Sequence, residues 1–145
     1  MNTGYGANGV AIVRNCYNTR HVIGREYAGG IAGISLRAHA TVGNCYNRGL
    51  VSGARSMGGI VGQVSAGTVE NCYYLESTAG SACSEMWYSP TITDCFSFTS
   101  DGGAHTLSGE VYETTELLAA LRAWVRANQG AEDYWDWIAD KQDQN

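Results

Sequence analysis

The stretch that decides the fold is Asn44-Cys45-Tyr46-Asn47-Arg48-Gly49-Leu50-Val51-Ser52-Gly53, continued by Met57-Gly58-Gly59-Ile60-Val61-Gly62 and closed by Gly67-Thr68-Val69. At Asn71-Cys72-Tyr73-Tyr74 the pattern begins again. An earlier copy holds Asn15-Cys16-Tyr17-Asn18 and Ala28-Gly29-Gly30-Ile31-Ala32-Gly33, and Ile92-Thr93-Asp94-Cys95-Phe96-Ser97 is a degraded later one. Cys16 and Cys45 are 29 positions apart, Cys45 and Cys72 27, and Cys72 and Cys95 23. A period of a few tens of residues marks stacked supersecondary units, each burying its apolar positions against its neighbours.

Within a copy the apolar runs are short, contain β-branched residues and are separated by Gly or Asn, which reads as strand rather than helix. The expected fold is therefore mainly β: a parallel β-solenoid of about three to four coils over residues 1–100. Neighbouring coils lie ~4.8 Å apart, so equivalent residues form ladders. Cys16, Cys45, Cys72 and Cys95 form one, as reduced small apolar groups facing the core. Asn15, Asn44 and Asn71 form another at a corner, with Asp94 as its departure and amides bonding up and down. Tyr17, Tyr46, Tyr73 and Phe96 form an aromatic ladder whose role is packing. Only Cys83 falls out of phase, either as a free thiol or as a partner of Cys72 or Cys95. Residues 75–90 break the period, as a shortened coil or a loop.

Residues 101–145 read as a capping region. A turn and short strand, with Leu107 and Val111 apolar, precede a helix over about 114–128. Thr114 or Thr115 would cap it, with Glu116 in its first turn. Leu117, Leu121, Trp124 and Val125 give that helix one apolar face. Tyr134-Trp135-Asp136-Trp137-Ile138 then alternates like a short strand. An amphipathic helix after a solenoid would cover the last coil's apolar face and its open edge.

The chain has 145 residues, a net charge of −5 and 16% charged residues. Residues 1–100 carry six Arg against five acids, whereas residues 101–145 carry three basic groups against nine acids. No basic stripe exists to hold phosphates, which argues against nucleic acid as a partner. No apolar run approaches the ~20 residues of a membrane span, so no membrane insertion is expected. Met1-Asn2-Thr3-Gly4 lacks the regions of a signal peptide. The chain reads as a piece of a longer protein.

The residues quoted above resemble the GLUG-motif repeat family. Gly59-Ile60-Val61-Gly62 matches its signature, and Gly30-Ile31-Ala32-Gly33 matches less closely; the resemblance covers about residues 10–97. The helix and Trp-rich segment are similar to an element that follows such repeats in proteins of gut bacteria. GLUG repeats occur in large secreted or surface-attached bacterial proteins, including non-catalytic regions of IgA-cleaving metallopeptidases. The resemblance implies an extracellular or cell-wall-attached repeat module, a spacer or adhesion segment. Host glycans, host proteins or neighbouring domains would be its partners. It brings no catalytic residue with it.

A search for chemistry agrees. His21, His39 and His105 are dispersed, with no H-E-x-x-H and no C-x-x-C, so no metal is expected. Gly4-Tyr5-Gly6-Ala7-Asn8-Gly9 matches G-x-G-x-x-G, but a β-run follows where a dinucleotide site needs a helix, so no cofactor is expected. Four equivalent Cys are poor nucleophile candidates. Glu26, Glu70, Glu76 and Asp94 fall at different phases, which leaves a polysaccharide-active enzyme the weakest alternative. The stronger alternative is carbohydrate binding by exposed aromatics, with Tyr5, Tyr27, Trp87 and Tyr88 as the candidate ligand contacts.

Overall fold

The computed structural model describes residues 2–3 and 9–128. The chain is mainly β, a β-solenoid of about three turns followed by a single helix among the described residues. The first coil holds β1 (Asn2–Thr3), β2 (Ala11–Arg14), β3 (Tyr17–Asn18), β4 (Val22–Gly24) and β5 (Ala28–Gly29). The second holds β6 (Ala32–Leu36), β7 (Ala40–Asn47), β8 (Val51–Gly53) and β9 (Met57–Gly58). The third holds β10 (Val61–Ser65) and β11 (Thr68–Leu75), with a 3-10 turn at Glu76–Thr78, and the fourth holds β12 (Cys83–Trp87) and β13 (Thr91–Asp101). Then come β14 (Ala104–Val111), β15 (Thr114–Glu116) and α1 (Leu117–Asn128).

Two long sheets run along the solenoid. One has the order β1-β6-β10-β12, all parallel. The other has the order β15-β14-β13-β11-β7-β2, with β3 also on β7. It is parallel from β2 to β13 and antiparallel from β13 to β15. The small pairs β4-β8 and β5-β9 close the first two coils. Residues 75–90 resolve as a shortened coil: the 3-10 turn replaces both small strands, and β12 rejoins the first sheet beside β10.

The repeated Asn is the corner of the coil. Asn15, Asn44, Asn71 and Asp94 all have left-handed backbones, with φ of 57°, 53°, 48° and 50°. Among residues with a side chain, Asn and Asp enter that region most readily, which suits them to this corner in all four copies. Beyond the corner, side chains alternate. Cys45, Cys72 and Cys95 turn into the lumen with Val42, Val61, Val64 and Val69. Tyr46, Tyr73 and Phe96 turn outward.

The Gly doublets answer to close approach rather than to positive φ. A Cβ on Gly30 would run into the Asn47 side chain, and one on Gly59 into the ring of Tyr74.

Two expectations for the C-terminal region are corrected. Thr114 and Thr115 lie in β15, and α1 starts at Leu117. The cap is Glu116, whose carboxylate accepts from the backbone N–H groups of Leu118 (3.1 Å) and Ala119 (2.7 Å). A carboxylate there also meets the positive end of the helix dipole. Nor does α1 cover the last coil's open edge. Part of that edge is taken by β14, which pairs with the end of β13 from Phe98 to Asp101. The helix instead lies on the outer aromatic face of the second sheet. Leu117, Ala120, Leu121, Trp124 and Val125 pack with Tyr46, Tyr73, Phe98, Leu107 and Val111 in a second core. The strand expected at 134–138 lies outside the described residues.

Candidate functional site

Three groups of residues could carry function: the two polar ladders, the lumen thiols and the exposed aromatics.

The corner ladder has a direction. The Asn44 amide donates to Asn15 Oδ1 (2.7 Å), and the Asn71 amide donates to Asn44 Oδ1 (2.8 Å). Asn71 Oδ1 accepts from the hydroxyl of Tyr73 (2.6 Å). Asp94 has no amide to donate onward. Its carboxylate accepts from the indole N–H of Trp124 (3.0 Å), tying α1 to the last corner. Sequence reasoning missed a second Asn ladder, although the second Asn of N-C-Y-N signals it. Asn18 Nδ2 donates to Asn47 Oδ1 (2.9 Å), and that same oxygen accepts from the backbone N–H of Gly49 (2.9 Å). Asn47 Nδ2 also donates to the carbonyl of Gly59 (2.9 Å). Burial of these amides is tolerated because they are hydrogen-bonded.

The thiols form one column. Cys45 pairs in register with Cys72, and Cys72 with Cys95. Cys16 sits on the first coil, its carbonyl accepting from Tyr46 N–H at 3.1 Å. All five cysteines are free thiols. Each ladder thiol donates to the carbonyl two residues earlier, at 3.1–3.2 Å. Burial pushes the Cys72 thiol well above its ordinary range, and the neighbouring thiols of Cys45 and Cys95 push it the same way. Cys83, read from the sequence as out of phase, is in phase with a different column. It lies in register with Val61, which lies in register with Ala32. Cys83 is buried, and that burial pushes its thiol up to about 12.

The aromatic candidates do not converge. Tyr27 is half-buried on the first coil, between β4 and β5. Trp87 ends β12 on the fourth coil and Tyr88 follows it, 51% and 79% exposed. With Met86, 57% exposed, they form a contiguous exposed run. Tyr5 lies outside the described residues. Of the ladder aromatics, Tyr17 stacks on Tyr46 at 5.4 Å and 12°. Tyr17 is 55% exposed, whereas Tyr46 is 5% exposed, because Tyr46 packs in the outer core with α1.

His21 and His39 are exposed, and His21 Nε2 shares a hydrogen bond with Ser52 Oγ (2.8 Å). Among the described residues no three His, Cys, Asp or Glu side chains are arranged to hold a metal ion. No described helix is long and apolar enough to cross a membrane. The class defined by this geometry is a β-solenoid repeat with a covered outer face. No protein-family model, no curated protein and no solved structure matches the chain.

Proposed function

We propose that this chain is a non-catalytic repeat module of a bacterial secreted or cell-surface protein, serving as a rigid spacer or adhesion segment. The observation that carries the reading is the use of the repeated polar groups. The Asn side chains that recur from coil to coil bond to each other and to the turns of their own coils. The repeated thiols are internal, and the one acid at the repeat phase is engaged by Trp124. Catalysis needs groups whose surroundings drive their pKa values apart around a substrate, whereas the Asn ladders place like groups in like surroundings. The resemblance to GLUG repeats supports the secreted setting and the partners it implies.

One observation favours a second reading, carbohydrate binding: Trp87 and Tyr88 are adjacent and open to solvent on the last coil. Aromatic faces of this kind stack on the apolar faces of sugar rings. The test is a panel of polysaccharides, mucin glycans and immunoglobulins incubated with the purified chain, scored for both binding and cleavage. The module reading expects no cleavage. Turnover that follows the chain through purification and vanishes on Glu26→Gln, Glu70→Gln or Glu76→Gln would overturn it. Glycan retention lost on Trp87→Ala would establish the second reading.

A further inference from the structure

We propose that Cys83 and Cys95 form a two-sulfur site for a soft d10 cation of the Cu(I) and Hg(II) class, at the C-terminal mouth of the lumen. The inference is independent of the module's proposed role and rests on the register of the last two coils.

In the third coil, β10 turns into β11 through Ala66, which has a left-handed backbone (φ 54°), and Gly67. Residues equally far from that turn face each other: Val64 meets Val69, and Val61 meets Cys72. All four have no exposed surface and share the luminal core. The fourth coil keeps the register of both strands, although its turn is one residue longer. β12 turns into β13 through Tyr88, Ser89 and Pro90, the first two left-handed (φ 53°). The in-register partners of Val61 and Cys72 are Cys83 and Cys95, and the partner of Val64 is Met86. Cys83 and Cys95 therefore lie on facing strands, both in the luminal core with Ile92.

Both cysteines are free thiols. Facing sheets lie ~10 Å apart, which leaves room for two inward-pointing side chains and one ion between them. Two metal–sulfur bonds of about 2.3 Å laid end to end span about 4.6 Å. Linear two-sulfur coordination suits soft cations, which thiolate ligands select. Among the described residues no three His, Cys, Asp or Glu side chains are grouped as hard cations or tetrahedral Zn(II) would need. The mouth is accessible: β12 is the edge of its sheet, and Met86 is open to solvent where its counterparts Val64 and Ser35 are fully buried.

Binding replaces two thiol protons with one cation. Hg(II) then leaves a neutral bis-thiolate, and Cu(I) leaves one negative charge. Because both protons are released, affinity must fall as pH falls.

The test is an anaerobic titration of the reduced full chain with Hg(II) in a competing thiol. The ultraviolet sulfur-to-metal charge-transfer band is followed, and unreacted thiols are counted by mass spectrometry. Cys83→Val installs the residue that the preceding coil carries at the same place, so the fold is retained. We expect a tight first equivalent that protects Cys83 and Cys95. Cys83→Val and Cys95→Ala should each weaken it by at least about 100-fold, more than the loss of an outer-shell partner, while Cys16→Ala leaves it unchanged. Equal affinity in Cys83→Val would overturn the proposal. So would a Cys83–Cys95 disulfide in the air-oxidised chain, or protection of a different thiol pair by the first equivalent.

Discussion

The two faces of the second long sheet are built by opposite means. The luminal face holds mostly Val and Cys, with Tyr74 on β11, and each coil buries them against its neighbours and the facing sheet. The outer face holds Tyr46, Tyr73, Phe96 and Phe98, which no coil can bury. It becomes a core only because α1 packs on it, together with Leu107 and Val111 of β14. The contrast within one column makes the point: Tyr17 and Tyr46 are stacked equivalents, yet one is exposed and the other buried. A repeat specifies its inside locally, whereas its aromatic outside depends on a segment that does not repeat.

The largest effect is expected on the outer face. Trp124→Ala removes both a buried ring and the hydrogen bond to Asp94. It should destabilise the chain by about 3–5 kcal/mol in denaturant unfolding. Leu121→Ala should cost about 2–5 kcal/mol. Values near zero would mean that the helix is not part of the folded unit.

The corner should come next. Asn71→Ala places a Cβ-bearing residue without a polar side chain in the left-handed region, at about 1–2 kcal/mol. It also leaves Asn44 Oδ1 without the Asn71 donor and Tyr73 without its acceptor, at about 1–3 kcal/mol. Asn71→Gly keeps the backbone and should show only the second part. Equal losses in the two variants would remove conformation from the account of why Asn recurs.

The luminal face makes its own prediction in alkali. Cys72 and Cys83 are held protonated by burial, Cys83 up to about 12 against an ordinary 9.0. Their raised values contribute stability that is fully present below about pH 9. Above that, the unfolded chain loses these protons and the folded chain keeps them, so stability falls as pH rises. The slope is about 1.4 kcal/mol per pH unit for each such thiol. A Cys72→Ala, Cys83→Val double variant should flatten the melting temperature between pH 9 and pH 11. An unchanged slope would show that these thiols ionise freely in the folded chain.

The smallest effect is at the final hairpin. Tyr112 and Glu113 hold left-handed backbones (φ 50° and 65°) where Asn-Gly is the favoured pair. Replacing them with Asn-Gly should stabilise the chain by about 1 kcal/mol, read as a small rise in melting temperature.

The sequence made the lumen legible and the cover only partly so. Asn44, Cys45 and Gly59 recur at fixed spacing, and a fixed spacing in a stacked coil has one geometric meaning. The ladders, the corner and the parallel register follow from it. Cys83 is legible as out of phase with the thiol ladder, but its equivalent, Val61, is not, because the 3-10 turn at Glu76–Thr78 shortens the coil between them. The helix was legible as an apolar stripe, but its destination was not. A stripe of Leu117, Leu121, Trp124 and Val125 fits an open end as well as an aromatic face, and Asp94 as the partner of Trp124 has no local sequence signal. Likewise Trp87 and Tyr88 could be named as aromatics, whereas their exposure depends on β12 being the last strand of its sheet.

Native-state alkylation of the reduced chain, resolved cysteine by cysteine by mass spectrometry, tests the stacked luminal column most directly. Cys16 and Cys95 close the two ends of the column and are partly exposed, whereas Cys45, Cys72 and Cys83 are buried. The account predicts that Cys16 and Cys95 react first. Cys45, Cys72 and Cys83 should react only at the rate of unfolding and accelerate together in denaturant. Reaction of Cys72 as fast as Cys16 in the native chain, or disulfides among the four ladder cysteines, would contradict it.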